Sequence, residues 1–411
     1  MNSLLTHFPK EILCEAAGRF GTPLYVYSKE LLERQAETYI NAFEGMDAMF
    51  CYAMKANSCK GLCSVLAKKG FGADVVSGGE LYRAVKAGFP SEKIIFSGTG
   101  KTADEIEYAI KENILFINAE SAEELNVIES TARRLDKKCR FSVRINPEVD
   151  PHTHAYISTG MAGSKFGVSF DEAFDMYVKS LSSKWIEPVG AHFHIGSQIT
   201  SPKPYIMAAE KMRDFLSRIE KAGVFLKYAD IGGGWGVPEG QEMPSPSALR
   251  EAAGILSNSG RKIILEPGRS VMAPCGIILA KVLYIKSSGG RDFAITDCGM
   301  NDFIRPALYG ARHPVEKISS RSATDTDLCR YDIAGPVCES SDFIAKDVMM
   351  PKLHSGDLIA VLSAGAYCFS MGSCYNSRPR PAEVMIEDNS LRLLRLLRRR
   401  ETIQDMICGE I

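Results

Sequence analysis

Lys55 stands at the end of an apolar run, MFCYAMK (49–55), where a lysine is costly to keep as a buried cation. Burial lowers an ammonium's pKa and favours the free amine, the form that condenses with a carbonyl. For a strand-end lysine taken alone, a stem laid on apolar surface with its head in water is the plainer alternative. Three successive glycines, Gly232, Gly233 and Gly234, follow another apolar run, and backbone N–H groups in such a loop can approach an anion closely. The string is not G-x-G-x-x-G, so a dinucleotide fingerprint is unsupported, and a tight turn explains it equally well. Glu266 opens the string EPGR, where a carboxylate could keep a ring nitrogen protonated or could pair with nearby Arg269. His192 and His194 form H-x-H on a strand and point to one side. No further His, Asp or Glu set at matching strand ends completes a metal site, so His194 stacked on a flat group is preferred and no metal is expected. His152 and His154, in a loop, carry no comparable argument. Later, CESSDF (338–343) places the Cys338 thiol beside the Glu339 carboxylate, a pair that could supply a proton donor and an ammonium anchor. A buried Cys next to a surface Glu is the plainer reading of that string by itself. Tyr367 follows a small-residue turn in AGAYCF.

Elements that could position these groups follow from the pattern. Eight short apolar runs alternate with amphipathic stretches: 49–55, 72–77, 93–98, 114–119, 141–146, 189–195, 228–233 and 262–268. Asp74 lies in the second run, and most of the other unusual residues fall at C-terminal ends of runs. Eight strand–helix units with continuous apolar strands predict a (β/α)8 TIM-like barrel, whose active-site residues sit at those ends. A doubly wound open sheet is the rival. After about residue 270 the texture turns to strand-like runs without long helices, which reads as a β domain. The expected organisation is a barrel over 28–270 and a β domain over 271–411, joined by the segment 1–27 through LYVY (24–27). The tail from residue 391, LRLLRLLRRRETIQDMICGEI, has an apolar and basic helical pattern.

The 411 residues carry a formal net charge of -1, so no basic excess recommends a nucleic-acid partner. The N-terminal residues lack the pattern of a signal peptide, and no run of 18 apolar residues predicts a membrane span. Twelve scattered cysteines without a C-x-x-C pair read as reduced thiols in a cytoplasm.

Longer strings sharpen this picture. YAMKAN, GADVVSGGELYRAVKAGFP, INPEVDPHTHAYISTGMAGSKFG, HFHIGSQI, DIGGGWG, EPGRS, GMNDFIRPALYGARHPV, GPVCESSDF, GAYCFSMGSCYNSRPRPAEV and RRRETIQDM run in order over nearly the whole chain. In these strings the chain resembles the fold-type III pyridoxal-phosphate decarboxylases, which share the alanine racemase-like fold. The resemblance implies a barrel with a C-terminal Greek-key β domain and pyridoxal 5'-phosphate held on Lys55 as a Schiff base. It implies that Asp74, His194, Ser197, Gly232, Gly233, Gly234, Glu266, Gly268, Arg269 and Tyr367 bind the cofactor. It assigns substrate binding to Arg269, Arg305, Tyr309, Glu339 and Tyr367. Cys338 becomes the proton donor, reaching the site from the other subunit of a homodimer. Glu339 for an ammonium and Arg305 for a distal carboxylate imply decarboxylation of meso-2,6-diaminopimelate to L-lysine and carbon dioxide. Decarboxylation of lysine or ornithine, or a catalytically silent regulator, are the alternatives. Trp235, Ser341, Cys368 and Cys374 depart from the family's usual residues near the substrate pocket.

Overall fold

A computed structural model describes residues 4–150, 165–238, 243–257, 260–319 and 327–395. The chain divides into two compact units, Arg34–Ser270 on one side and Met1–Glu33 with Val271–Ile411 on the other. Two early elements, α1 (Lys10–Phe20) and β1 (Leu24–Ser28), precede the first unit. A helix, α2 (Lys29–Ala42), leads into it.

Each of the eight apolar runs supplies one parallel strand. They are β2 (Ala48–Ala53), β3 (Gly72–Val75), β4 (Ile94–Phe96), β5 (Phe116–Ala119), β6 (Cys139–Arg144), β7 (Ile186–His192), β8 (Tyr228–Asp230) and β9 (Lys262–Leu265). They close in sequence order, and the last returns to the first with Ala48 opposite Ile263. Closure excludes the open-sheet rival. Met49, Cys51, Ile95, Leu115, Phe116, Val189 and Ile264 form a buried apolar cluster against which Tyr228 packs. Such filling makes the barrel a packed core rather than a pore.

The helices between strands are α3 (Lys60–Lys68), α4 (Gly78–Ala87), α5 (Ala103–Lys111), α6 (Ala122–Arg134), α7 (Phe170–Ser180), α8 (Lys203–Lys221) and α9 (Arg250–Ser257). Four begin with the same local signal, a Ser or Thr followed three residues later by Glu. Ser77, Thr102, Ser121 and Ser169 accept from the backbone N–H of Glu80, Glu105, Glu124 and Glu172 respectively. Because helices of a β/α barrel start at the C-terminal ends of the strands, these caps line the mouth. Glu105 ties two of them together: Oε2 accepts from Thr102 N at 3.0 Å and Oε1 from Gly78 N at 2.7 Å.

The second unit is a mixed sheet. After α10 (Arg269–Met272) the chain runs into β10 (Gly276–Ser288), β11 (Arg291–Thr296), a one-turn helix α11 (Arg305–Tyr309) and β12 (Val315–Ser319). The remaining strands are β13 (Leu328–Ala334), β14 (Phe343–Pro351), β15 (Leu358–Val361), β16 (Ala382–Glu387) and β17 (Ser390–Arg395). The order is β14-β13-β11-β10-β1-β16-β17, with β15 joining β10 to β12. The LYVY segment forms β1, antiparallel to β10 and parallel to β16. Gly289 and Gly290, with φ of 61° and 75°, turn β10 into β11, as a two-residue hairpin needs.

The tail corrects the helical expectation. Its first residues form β17, paired antiparallel with β16, because the available edge hydrogen bonds outweigh a leucine spacing that only suggests a helix. RRRETIQDM lies outside the described residues, as do His152 and His154. No helix among the described residues is long and apolar enough to cross a membrane.

Replacing Glu105 with Ala removes a cap bond and the bridge to Gly78. Its expected cost is about 1–3 kcal/mol, read as a fall in Tm. An unchanged Tm would mean that water replaces both bonds without loss.

Candidate active site

Lys55 does not close its strand. β2 ends at Ala53, and a single 3-10 turn, Met54–Ala56, carries Lys55 beyond the strand end. There its side chain is 38% exposed while Nζ lies 3.8 Å from Oδ2 of fully buried Asp74. The amine is thus reachable from the mouth yet backed by a carboxyl on the neighbouring strand. Burial pushes the Asp74 carboxyl up to about 8, helped by the Glu266 charge and opposed by Lys55.

Glu266 follows β9 and is 3% exposed. It does not pair with Arg269, the partner that sequence proximity offers. Its Oε1 lies 3.3 Å from Nε2 of buried His192, the last residue of β7. Burial raises its pKa, but His192 foremost, with the Lys55 ammonium, outweighs that and holds it well below the carboxylate range. Asp230, at the end of β8, completes a compact group: His192, Asp230 and Glu266 offer ligand-type atoms all within 4.8 Å of one another. Burial and the Glu266 charge push Asp230 well up, so of the two carboxyls Glu266 is the one favoured as the anion. Linear spacing supplied no partners for the H-x-H pair. Barrel closure supplies them to His192, while His194 Nδ1 is taken by Gly233 N–H.

His194 stands two residues past β7. Its Nδ1 accepts from Gly233 N at 3.1 Å, so a neutral ring carries its proton on Nε2. Burial, with Lys55 and Arg144 nearby, keeps its pKa well below the usual value. Ser197 Oγ accepts from Arg269 Nη2 at 3.1 Å, which joins the loop after β7 to the start of α10. Gly268 lies against β2, where an added Cβ would meet Ala53 Cβ at 3.0 Å.

The triple glycine has a reason that neither sequence reading named. A Cβ at Gly233 would run into the Glu266 carbonyl, and one at Gly234, with φ +103°, into the Gly196 carbonyl. Glycine is required because three loops of the mouth approach closely here. The N–H of Gly232 is taken by Asp230 Oδ1 and that of Gly233 by His194. Among the described residues, Gly234 N–H has no partner of this kind.

The remaining expected residues belong to the sheet unit. Arg305 opens α11 and is 7% exposed; its guanidinium lies 5.8 Å from the Tyr309 ring centroid. Cys338 and Glu339 are exposed in the turn between β13 and β14. Asp342 shapes that turn by accepting from Val337 N at 2.7 Å and Met300 N at 2.6 Å. Cys338 N donates to Asn376 Oδ1 at 2.8 Å. Tyr367 adopts φ 56°, a conformation uncommon outside glycine. Trp235 is buried with Nε1 donating to Pro244 O, Cys368 is buried, and Ser341 and Cys374 are exposed. Asp230, Asp342 and the pairing of His192 with Glu266 escaped the sequence reading. The local signal for Asp230 and for the role of His192 was their place at strand ends.

A closed barrel whose mouth gathers a lysine amine, a buried anionic carboxylate, a neutral imidazole and a glycine loop has the groups that an enzyme with an anionic ring cofactor needs. The family model for the pyridoxal binding domain of pyridoxal-dependent decarboxylases matches residues 29–273. A diaminopimelate decarboxylase of Aquifex aeolicus is 46% identical over 387 residues, covering 93% of this chain and 91% of that one. One from Helicobacter pylori is 44% identical over 390 residues, covering 94% and 95%. The crystal structure of a Helicobacter pylori diaminopimelate decarboxylase complexed with L-lysine superposes with a TM-score of 0.90 at 42% identity, covering 96% and 98%. The chain belongs to the pyridoxal-dependent decarboxylases, in the diaminopimelate decarboxylase branch. Its cofactor is pyridoxal phosphate, and the mouth fits that group: a reachable amine, a buried anion and an unpartnered glycine N–H lie on adjoining strand ends.

The buried acid makes a pH prediction. Asp74 holds its proton in the folded chain over about pH 4–8, where the unfolded chain has released it. That contribution is full below the window and is lost as pH rises through it. The cofactor-free Asp74→Asn protein should therefore gain on the parent by up to about 1.4 kcal/mol per pH unit across the window, then hold a constant lead. A pH-independent gap in Tm would contradict the assignment.

Proposed function

We propose that this chain decarboxylates meso-2,6-diaminopimelate to L-lysine and carbon dioxide, as a cytoplasmic homodimer whose subunits complete each other's sites. The observation that carries the substrate choice is Arg305, a buried guanidinium in the sheet unit. Diaminopimelate has an amino-acid group at both ends, so its far end needs an anion partner and a cation partner together. Arg305 can grip the far carboxylate through two N–H groups, and Glu339 can take the far ammonium. Diamino acids such as lysine or ornithine, acting as substrates, need only the second. The names of the relatives support the same reading.

The other roles follow from charge and reach. Lys55 holds the cofactor aldehyde through its amine. Gly234 N–H, Ser197 and Arg269 bind the phosphate, with Gly268 keeping the adjoining loop close. Glu266, kept anionic by His192, holds the proton on the ring nitrogen. His194, neutral, would pack against the ring, and Asp74 stands behind Lys55. Once bound, the cofactor supplies an electron sink for the pair left on Cα when carbon dioxide departs. Cys338 of the partner subunit then gives its thiol proton to Cα, while Tyr367 and Tyr309 contact the substrate. Cys338 and Glu339 lie exposed in their own chain, which supports a role in a neighbouring copy. The eleven described cysteines are free thiols, in keeping with a reducing compartment.

Carbon-dioxide release from meso-diaminopimelate, L-lysine and L-ornithine tests the reading. Arg305→Ala should lower kcat/KM for diaminopimelate by about two to three powers of ten, since an unpaired buried charge costs ~3–5 kcal/mol. Any turnover of lysine should suffer far less. Equal losses in a folded, cofactor-loaded variant, or parent turnover of lysine equal to that of diaminopimelate, would move the substrate to diamino acids generally.

The shared site has its own test. Lys55→Ala and Cys338→Ala subunits, each inactive alone, should regain part of the parent activity when mixed, because some mixed dimers hold one intact site. No recovery after verified subunit exchange would place Cys338 in the site of its own chain.

A further inference from the structure

Arg305 is not left to find its own orientation. α11 ends at Gly310, whose φ of 62° reverses the chain and brings His313 back toward the helix start. Arg305 Nε donates to His313 Nε2 at 3.2 Å, and His313 Nδ1 lies 2.9 Å from the Leu362 carbonyl oxygen. Hydrogen-bond polarity fixes the tautomer. A carbonyl only accepts and a guanidinium N–H only donates, so Nδ1 carries the proton and Nε2 offers its lone pair. The imidazole itself is held in place. Phe303 packs edge-on against it at 4.8 Å and 80°, and Leu362 N donates to the adjacent Pro314 carbonyl at 2.8 Å.

This arrangement selects one of two ways an arginine can grip a carboxylate. A side-on grip uses Nε and one Nη, whereas an end-on grip uses both Nη atoms. With Nε engaged by His313, the end-on pair remains. The same Leu362 carbonyl begins the turn that leads to Tyr367, so one imidazole ties the arginine to the loop of a second expected substrate residue.

We propose that His313 is the positioning residue for Arg305, fixing the roll of its guanidinium so that the two Nη groups face the distal carboxylate of the substrate. The proposal rests on the reading of Arg305 given above. It makes His313 a determinant of specificity without contact with substrate. Loss of its acceptor should free the guanidinium to rotate and weaken recognition of that carboxylate alone.

The test uses two ligands that differ at one group. L-lysine, as product, keeps the far amino-acid end of diaminopimelate intact, whereas 1,5-diaminopentane lacks that carboxylate. Inhibition constants for both are measured on cofactor-loaded parent, Arg305→Ala, His313→Gln, His313→Asn and His313→Leu, with Tm and cofactor absorbance read for each. Gln can offer an oxygen where Nε2 lies. Asn is too short to reach Arg305 but can still serve Leu362. Leu can do neither. His313→Asn and His313→Leu should weaken lysine by about tenfold, a typical effect for one lost charge-assisted bond, and leave diaminopentane unchanged. His313→Gln should stay within about twofold of the parent. If Leu fails to fold, the Asn–Gln contrast decides. Parallel losses for both ligands, or parent-like lysine binding by His313→Asn while Arg305→Ala loses it, overturns the role of His313. A parent that binds both ligands equally, with Arg305→Ala no different, instead overturns the reading of Arg305.

Discussion

The contact between Glu266 and His192 is the constraint on which the barrel mouth turns. Three carboxyl groups, Asp74, Asp230 and Glu266, converge where burial disfavours every charge. Ionising all three would be prohibitive in so little space. His192, 3.3 Å from Glu266, decides which one ionises. Once Glu266 carries the negative charge, Asp230 and Asp74 are driven toward their protonated forms by that charge and by burial. A neutral acid beside Lys55 leaves the amine less firmly held as an ammonium than an aspartate would. The charge pattern therefore leaves the mouth with one buried anion at Glu266 and a Lys55 amine backed by a neutral acid.

Close packing enforces this layout. The strands that carry His192, Asp230 and Glu266 are neighbours, β7, β8 and β9, so register sets their distances. The glycine loop after β8 lies so near Glu266 and Gly196 that a methyl group cannot enter. Its N–H groups then lock Asp230 and His194. In the sheet unit a similar economy applies to Arg305. One short helix, one left-handed glycine and one returning histidine hold its guanidinium in place.

The barrel was legible because its strands, buried on both faces, read as eight uninterrupted apolar runs. Lys55 and the glycine loop were legible as unusual residues at the ends of such runs. What they pair with was not. Glu266 is three residues from Arg269 and seventy-four from His192, yet the structure pairs it with the distant one. Strand order in a closed barrel creates such contacts, and local spacing carries no trace of them. His313 carries no local signal, because its contact with Arg305 depends on the turn at Gly310. The tail misled for the opposite reason: leucines at helical spacing also satisfy an edge strand when a partner such as β16 is waiting.

Infrared difference spectroscopy of the cofactor-free protein below neutral pH tests the charge pattern most directly, through the carbonyl stretch that only a protonated carboxyl shows. Asp74→Asn and Asp230→Asn should each remove one such band, whereas Glu266→Gln should keep both at low pH and lose them at a lower pH than the parent does. Loss of a protonated-carboxyl band in Glu266→Gln, with Asp230→Asn leaving the spectrum intact, would show that the charge sits on the wrong acid and would contradict the account.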